Sequence, residues 1–257
     1  MMSEIDVARW LAAEMDYHDS NAHIIHAEVK QGDLRYDAPK RLFFLPYLRF
    51  PGERCIVDIA CGTANSVATL LGSRRDCIHY IGVDISREML MIARSNMTNG
   101  QFVQASGHKL PLEKGVADYV FSWGALHHMP DVVVALDAII NLLKPGGLLF
   151  LLEPTPRVGT GWEDSPRERG VRITTIRSVI QCSSCEFISI HYINSRFTAL
   201  VRRMLRKLKM SRVEHYGATR YLLTYLDLAA DRVCGSLFSF FQGRDVIAVV
   251  RKAASSE

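Results

Sequence analysis

A chain of 257 residues, 48% hydrophobic and 23% charged, is long enough to bury a core without disulfide or metal staples. The net charge of +4 is too mild to demand a nucleic-acid partner. No window approaches about 18 uninterrupted apolar residues, so no membrane-spanning helix is expected, and the opening MMSEIDVARWLAAEMD has no secretory apolar run. Cys55, Cys61, Cys77, Cys182, Cys185 and Cys234 fit free thiols in a reducing cytoplasm.

Residues 1–50 are expected to be helical. Ile5, Ala8, Leu11, Ala12 and Met15 fall at helical spacing, Pro39 to Leu48 gives a second apolar stripe, and a polar, His-rich stretch from Tyr17 to Tyr36 lies between. From Arg54 the pattern turns to alternating strands and helices. Strands are expected at Cys55–Ala60, His79–Val83, Gln101–Gln104, Ala117–Ser122 and Leu148–Leu152, with helices at Asn65–Leu71, Arg87–Asn96 and Val132–Leu143. Ser86 suits the N-cap of the helix from Arg87, and Lys144-Pro145-Gly146-Gly147 suits the stop of the helix before it. Beyond a Pro-, Gly- and charge-rich loop, a helix at Thr174–Gln181, a strand at Phe187–Ile193 and a last strand at Asp245–Val250 complete the series. Such alternation predicts an α/β fold with a mostly parallel sheet and helices on both faces. A ligand is then expected at the C-terminal edge of the strands. Three parts follow: an N-terminal helical lid at 1–50, a sheet domain at 51–193 and 243–257, and a helical insertion at 194–242.

Two turns carry chemistry. Val57-Asp58-Ile59-Ala60-Cys61-Gly62-Thr63-Ala64 runs a strand into a turn of small residues, where a ligand can approach the backbone, although a plain structural turn has the same look. The pattern G-x-G-x-x-G is absent, which counts against a nicotinamide enzyme. Asp84 ends the second strand 22 positions after Gly62. It is either a helix-capping acid or a ligand for a vicinal ribose diol, and the spacing favours the ribose.

VDIACGTA, YIGVDISREMLMIAR, FVQASGHKLPLEKGVADYVFSWGALHHMPD and LLKPGGLLFLLEP, in unbroken order over residues 52 to 154, resemble the motifs of class I S-adenosylmethionine-dependent methyltransferases. The subgroup resembled is the ubiquinone/menaquinone-biosynthesis-like set, most of which methylate small molecules. The resemblance implies a Rossmann-like, doubly wound sheet of seven strands whose last strand, at Asp245 to Val250, is antiparallel. It implies S-adenosylmethionine as cofactor and S-adenosylhomocysteine as product. By position, Asp58 would support the first loop and the cofactor's amino group, and Ala60, Cys61 and Gly62 would approach the methionine part. Asp84, with Ile85 beside it, would take the ribose hydroxyls, and Met89 would pack on the adenine. Ser106, Gly107 and His108 would line the adenine edge, and Ser122 and Trp123 would border the methionine part. Ala60 and Ala64 stand where glycine is usual, and alanine at positive φ costs roughly 1 kcal/mol or more. Either those positions avoid that region or the loop is reshaped. Ser106 stands where an acid often meets the adenine.

Methyl transfer from a sulfonium needs chiefly orientation, and an oxygen or nitrogen acceptor can also need a base. His127 and His128, in the loop after the fourth strand, are the candidate catalytic residues; the alternative is one structural and one solvated histidine. Tyr17, His18 and His23 are candidate substrate or lid contacts. Asp19, His23 and His26 share one helical face, open to a metal or to a polar lid reading, and no metal is assigned. Cys182-Ser183-Ser184-Cys185 reads as a helix end and turn. In Arg196 to Arg212, Phe197, Leu200, Val201, Met204, Leu205 and Leu208 form an apolar face, with Arg202, Arg203, Arg206, Lys207, Lys209 and Arg212 opposite. This basic amphipathic helix is either a substrate lid or a peripheral membrane or phosphate contact, and Tyr216, Tyr221, Tyr225, Phe238, Phe240 and Phe241 follow it. The leading expectation is methylation of a small-molecule metabolite on O, N or C. The alternatives are an RNA or protein methyltransferase guided by the basic helix, a catalytically silent binding protein, or a non-methylating use of the cofactor.

Overall fold

The computed structural model describes residues 3–30, 34–156, 170–194, 198, 200, 201, 203, 204, 217–234 and 245–254. Two helices, α1 (Glu4–Lys30) and α2 (Leu34–Phe44), precede the sheet domain. There follow β1 (Arg54–Ile59), α3 (Asn65–Leu71), β2 (Ile78–Asp84), α4 (Arg87–Asn96), β3 (Gln101–Gln104), β4 (Ala117–Trp123), α5 (Val132–Asn141) and β5 (Leu143–Pro154). The rest comprises α6 (Ile173–Cys182), β6 (Cys185–Ile193), α7 (Gly217–Cys234) and β7 (Asp245–Lys252). The seven strands form one sheet in the order β3-β2-β1-β4-β5-β7-β6. β1 to β5 pair in parallel, and β7 runs antiparallel between β5 and β6. This is the mostly parallel, doubly wound α/β sheet expected, with the antiparallel last strand.

The strands are apolar on both faces because both are covered. Leu149 and Leu151 of β5 pack with Leu136, Ile139 and Ile176 on one side. Phe150 packs with Phe44, Tyr80 and Phe121 on the other. Helix starts follow local chemistry. Ser86 Oγ accepts from Met89 N at 3.1 Å to cap α4, and Asp131 Oδ1 accepts from Val133 N and Val134 N to cap α5. Cys182 and Cys185 are free thiols flanking the turn between α6 and β6. A buried polar seam ties α7 and α2 to the sheet. Asn194 N and Thr198 Oγ1 donate to the Asp227 carboxylate at 2.8 and 2.9 Å, and Asp245 Oδ2 accepts from Asn194 Nδ2 and Tyr36 OH at 2.6 and 3.0 Å.

Three elements depart from the sequence reading. The N-terminal stripe and the polar residues after it as far as Lys30 form one helix, and its inward face is not the predicted one. Ile5 and Met15 are 66% and 37% exposed, whereas Glu14 and Ala22 are buried and Trp10, His18 and Ile25 half-buried. Polar partners across the sheet edge, rather than apolar spacing, orient α1. At Lys144–Gly147 the chain is already in β5, with Pro145 and Gly146 exposed and Gly146 at φ 77°, beside an irregular pairing with β4. Pro145 and Gly146 end the helical pattern but are tolerated in the strand because they sit at this irregularity. Of the basic segment, Thr198, Leu200, Val201, Arg203 and Met204 are helical, and Leu200 and Met204 are 46% and 54% exposed. Its other named residues, with Tyr216, Phe238, Phe240 and Phe241, lie outside the described residues or have side chains that do. No helix among the described residues is long and apolar enough to cross a membrane.

Candidate active site

The C-terminal ends of β1, β2 and β4 open onto a cavity of about 230 Å³, roofed by α1. Its base is the turn after β1. Ala60, Gly62 and Ala64 all take positive φ, at 52°, 53° and 56°. The alanines thus occupy the left-handed region, which settles the question their identity raised. The turn is pinned from outside: Cys61 N donates to Val83 O at 3.0 Å, Gly62 N to Asp84 Oδ2 at 2.7 Å, and Asn96 Nδ2 to Thr63 O at 2.8 Å. No heavy atom lies within 4 Å of where a Gly62 Cβ would stand, so its glycine answers to conformation rather than crowding.

Asp84 is buried and bridges two turns, its second oxygen accepting from Ser86 N at 2.9 Å. Burial pushes its carboxyl above the ordinary value, while the Ser86 and Gly62 N–H groups pull it back. Ser86 Oγ donates to Asp19 Oδ1 at 2.5 Å, and Glu88 N donates to the same oxygen, so α1 adds a second cap to α4. Asp19 is therefore a capping acid, and His23 is exposed; the face of Asp19, His23 and His26 does not gather as metal ligands.

The turn after β3 closes another wall. Ser106 Oγ accepts from His108 N at 3.1 Å. A Cβ on Gly107 would stand 2.5 Å from Met129 Cε and 3.2 Å from Ile59 Cγ2, so the absence of a side chain lets this wall pack. Trp123 stacks on Phe44 at 5.6 Å and carries Lys40 Nζ 4.5 Å above its ring, yet its indole N–H is buried with no hydrogen-bond partner. Ser122 Oγ is likewise buried and unpartnered.

The loop after β4 is held by a residue the sequence reading missed. Glu153, fully buried at the end of β5, accepts from Ala125 N and Leu126 N at 2.8 and 2.9 Å and meets His127 Nδ1 at 3.0 Å. An acid ending an otherwise unbroken apolar run was the available signal. Trp10 Nε1 donates to His128 O at 2.9 Å, fastening α1 to this loop. Glu14, also missed, lies with its Oε2 3.2 Å from His128 Nδ1 and 3.6 Å from His18 Nε2. Burial works to raise the Glu14 carboxyl, but the two histidines outweigh it and hold the group at about 2. Burial pushes His128 below its ordinary value, against the pull of Glu14.

Of the residues singled out from sequence, the structure places Ala60, Cys61, Gly62, Asp84, Ile85, Met89, Ser106, Gly107 and Trp123 on the cavity wall, with His18 and His128. Asp58, His108, Ser122, His127, Tyr17 and His23 are not on it. Asp58 is buried within β1, where it accepts from Tyr80 OH at 2.7 Å. Tyr17 is 39% exposed and meets His18 edge to face. The wall fits an adenosyl sulfonium ligand: an acid for a diol, an open left-handed turn, and apolar Ile85 and Met89.

Residues 57–151 match the family model described as a methyltransferase domain. A demethylmenaquinone methyltransferase of Lactococcus lactis is 35% identical over 144 residues, covering 54% of each chain. The chain thus spans about half the length of the curated relatives it matches. Among solved structures, the [4+2]-cyclase SpnF superposes with a TM-score of 0.55 at 19% identity, over 80% of this chain and 77% of that one. A phosphoethanolamine N-methyltransferase of Haemonchus contortus, bound to S-adenosylhomocysteine, gives 0.56 at 16% identity, over 84% and 53%. These two share the fold. The methyltransferase-domain match over residues 57–151 thus falls on β1 to β5, the part of the sheet whose strand order places the cavity at its switch point.

Proposed function

We propose that this chain transfers the methyl group of S-adenosylmethionine to a small-molecule acceptor. The observation that carries the reading is the meeting of Asp84 with the Ala60–Gly62 turn at the floor of one cavity, 2.7 Å from carboxylate to backbone N–H. Asp84 takes the ribose hydroxyls, Ile85 and Met89 flank the adenine with Ser106 and Gly107, and the Ala60–Gly62 backbone faces the methionine part. Asp58 acts from behind the turn, by fixing β1. The bound cofactor supplies an activated methyl on sulfur. The chain supplies alignment of the acceptor and exclusion of water beneath α1. Of the two candidate histidines, His128 lines the cavity and is placed to meet the acceptor, whereas His127 serves by holding the loop against Glu153. The relatives named for demethylmenaquinone support a small molecule over a polymer. Free Cys55, Cys61, Cys182 and Cys185 support a reducing cytoplasm.

The test is calorimetric titration and thermal shift with S-adenosylmethionine and S-adenosylhomocysteine. Ligand at about 100 times its Kd should stabilise the chain by about 2.7 kcal/mol, and Asp84→Ala should weaken binding at least tenfold. A folded protein that binds neither nucleoside would overturn the reading.

A further inference from the structure

Glu14 and His18 stand one turn apart on α1, and His128 comes from the loop after β4. Two distant segments thus bring a carboxylate and two imidazoles to one point. The three candidate donor atoms all lie within 4.8 Å of one another, and the carboxylate oxygen is 3.2 and 3.6 Å from the two ring nitrogens. Donors held about 2.0–2.1 Å from a tetrahedral ion are separated by about 3.4 Å, so the two measured spacings bracket the value an ion imposes. The 3.2 Å approach is not an aligned hydrogen bond, and His128 Nδ1 is buried without one. A loaded site relieves that buried nitrogen.

We propose that Glu14, His18 and His128 bind a divalent transition cation of the zinc type, with the remaining coordination position open to the cavity. This goes beyond the sequence reading, which assigned no metal. Metal binding itself stands independently of the cofactor assignment, whereas the ion's role toward an acceptor rests on the proposed function. Two imidazoles and one carboxylate are borderline donors that suit zinc, cobalt or nickel; magnesium and calcium favour a shell of oxygens. The buried Glu14 side chain brings a carboxylate to the cluster, the charge such an ion needs. Outer contacts support the ligands. Trp10, on the helix that carries two of them, donates to the carbonyl of the third. Because all three ligands line the cavity, the ion also clips α1 to the rim and presents a Lewis-acidic position to the acceptor. The acceptor class it favours is an oxygen ligand such as a phenolate, an enolate or a pair of adjacent hydroxyls. A ring that ligates through Nδ1 keeps its proton on Nε2, so in the loaded state His128 does not act as a base.

The experiment uses the full, tag-free chain, stripped with a chelator and dialysed against zinc or cobalt chloride. The expected result is one equivalent of metal per chain and a cobalt d–d spectrum. Glu14→Gln, His18→Asn and His128→Asn should each weaken binding at least tenfold. His23→Ala, on the same helix outside the cluster, should bind as the unmodified chain does. Circular dichroism checks the fold of each variant, and partly exposed His18 carries the test if the other two unfold. Absence of stoichiometric binding, or full binding by folded Glu14→Gln and His18→Asn, overturns the proposal.

Discussion

Asp58 is an acid enclosed on every side, and burial lifts its carboxyl from 3.8 to about 7 despite the Tyr80 hydroxyl and Lys40 nearby. The folded chain therefore keeps a proton that the unfolded chain releases near its ordinary value. The stability this group contributes is complete below about pH 4, falls as pH rises towards 7, and is flat above. The span is of order 4 kcal/mol at 1.36 kcal/mol per unit. Asp58→Asn should keep the Tyr80 contact and lose this slope, so that urea unfolding at pH 4.5, 6 and 8 shows the variant gaining on the parent as pH rises. Parallel pH profiles for the two would refute it. Ala60 makes a second test, because its methyl sits at φ 52°. Ala60→Gly should stabilise the chain by up to about 1 kcal/mol, and Ala60→Val should destabilise it by more than that, since a β-branched side chain tolerates this region least. A thermal midpoint lowered by glycine would contradict the strain. The sequence made these alanines visible as departures from glycine, but a residue's φ is set by neighbours that pin the turn, here Val83, Asp84 and Asn96, and those are legible only in three dimensions.

At the scale of elements, strands and helices of the sheet domain were readable because burial imposes continuous apolar runs on β1, β2, β4 and β5 and caps mark α4 and α5. Helix α1 was not. Its spacing of Ile5, Ala8 and Met15 mimics a core stripe, while the true inner face carries Trp10, Glu14 and His18, whose partners are more than 100 residues away on the β4 loop. Long-range polar pairing leaves no periodic trace in sequence. The same holds for Glu153, which organises the loop after β4 from β5. Glu153→Ala would strand two backbone N–H groups and His127 without their acceptor. The expected loss is about 3 kcal/mol or more in urea unfolding, with slower hydrogen exchange lost at Ala125 and Leu126. Glu153→Gln, which keeps one carbonyl oxygen, should lose less. Equal stability of parent and alanine variant would show that the carboxylate does not hold the loop.

For the whole molecule, the strand order puts every wall of the cavity on one edge, so the fold and the place of the site were both implied by the βαβ alternation. Which residues face inward there was legible only in part. Asp84, Gly62 and Met89 line the cavity where their motifs place them, whereas Asp58 is engaged by Tyr80 inside the sheet and Ser122 is buried off the cavity wall. The sheet's seventh strand has a further consequence. β7 is flanked by β5 and β6 and buried from Asp245 to Val250, yet it follows all the others along the chain. During synthesis the ribosome releases this keystone after the strands on either side of it, which until then expose unpaired backbone edges. Chains cut before Asp245 should accumulate as aggregates in a solubility assay even though every cavity-lining residue is present. Their dependence on chaperones should exceed that of the full chain, because the gap lies between two strands, β5 and β6, and leaves both without a partner on that side.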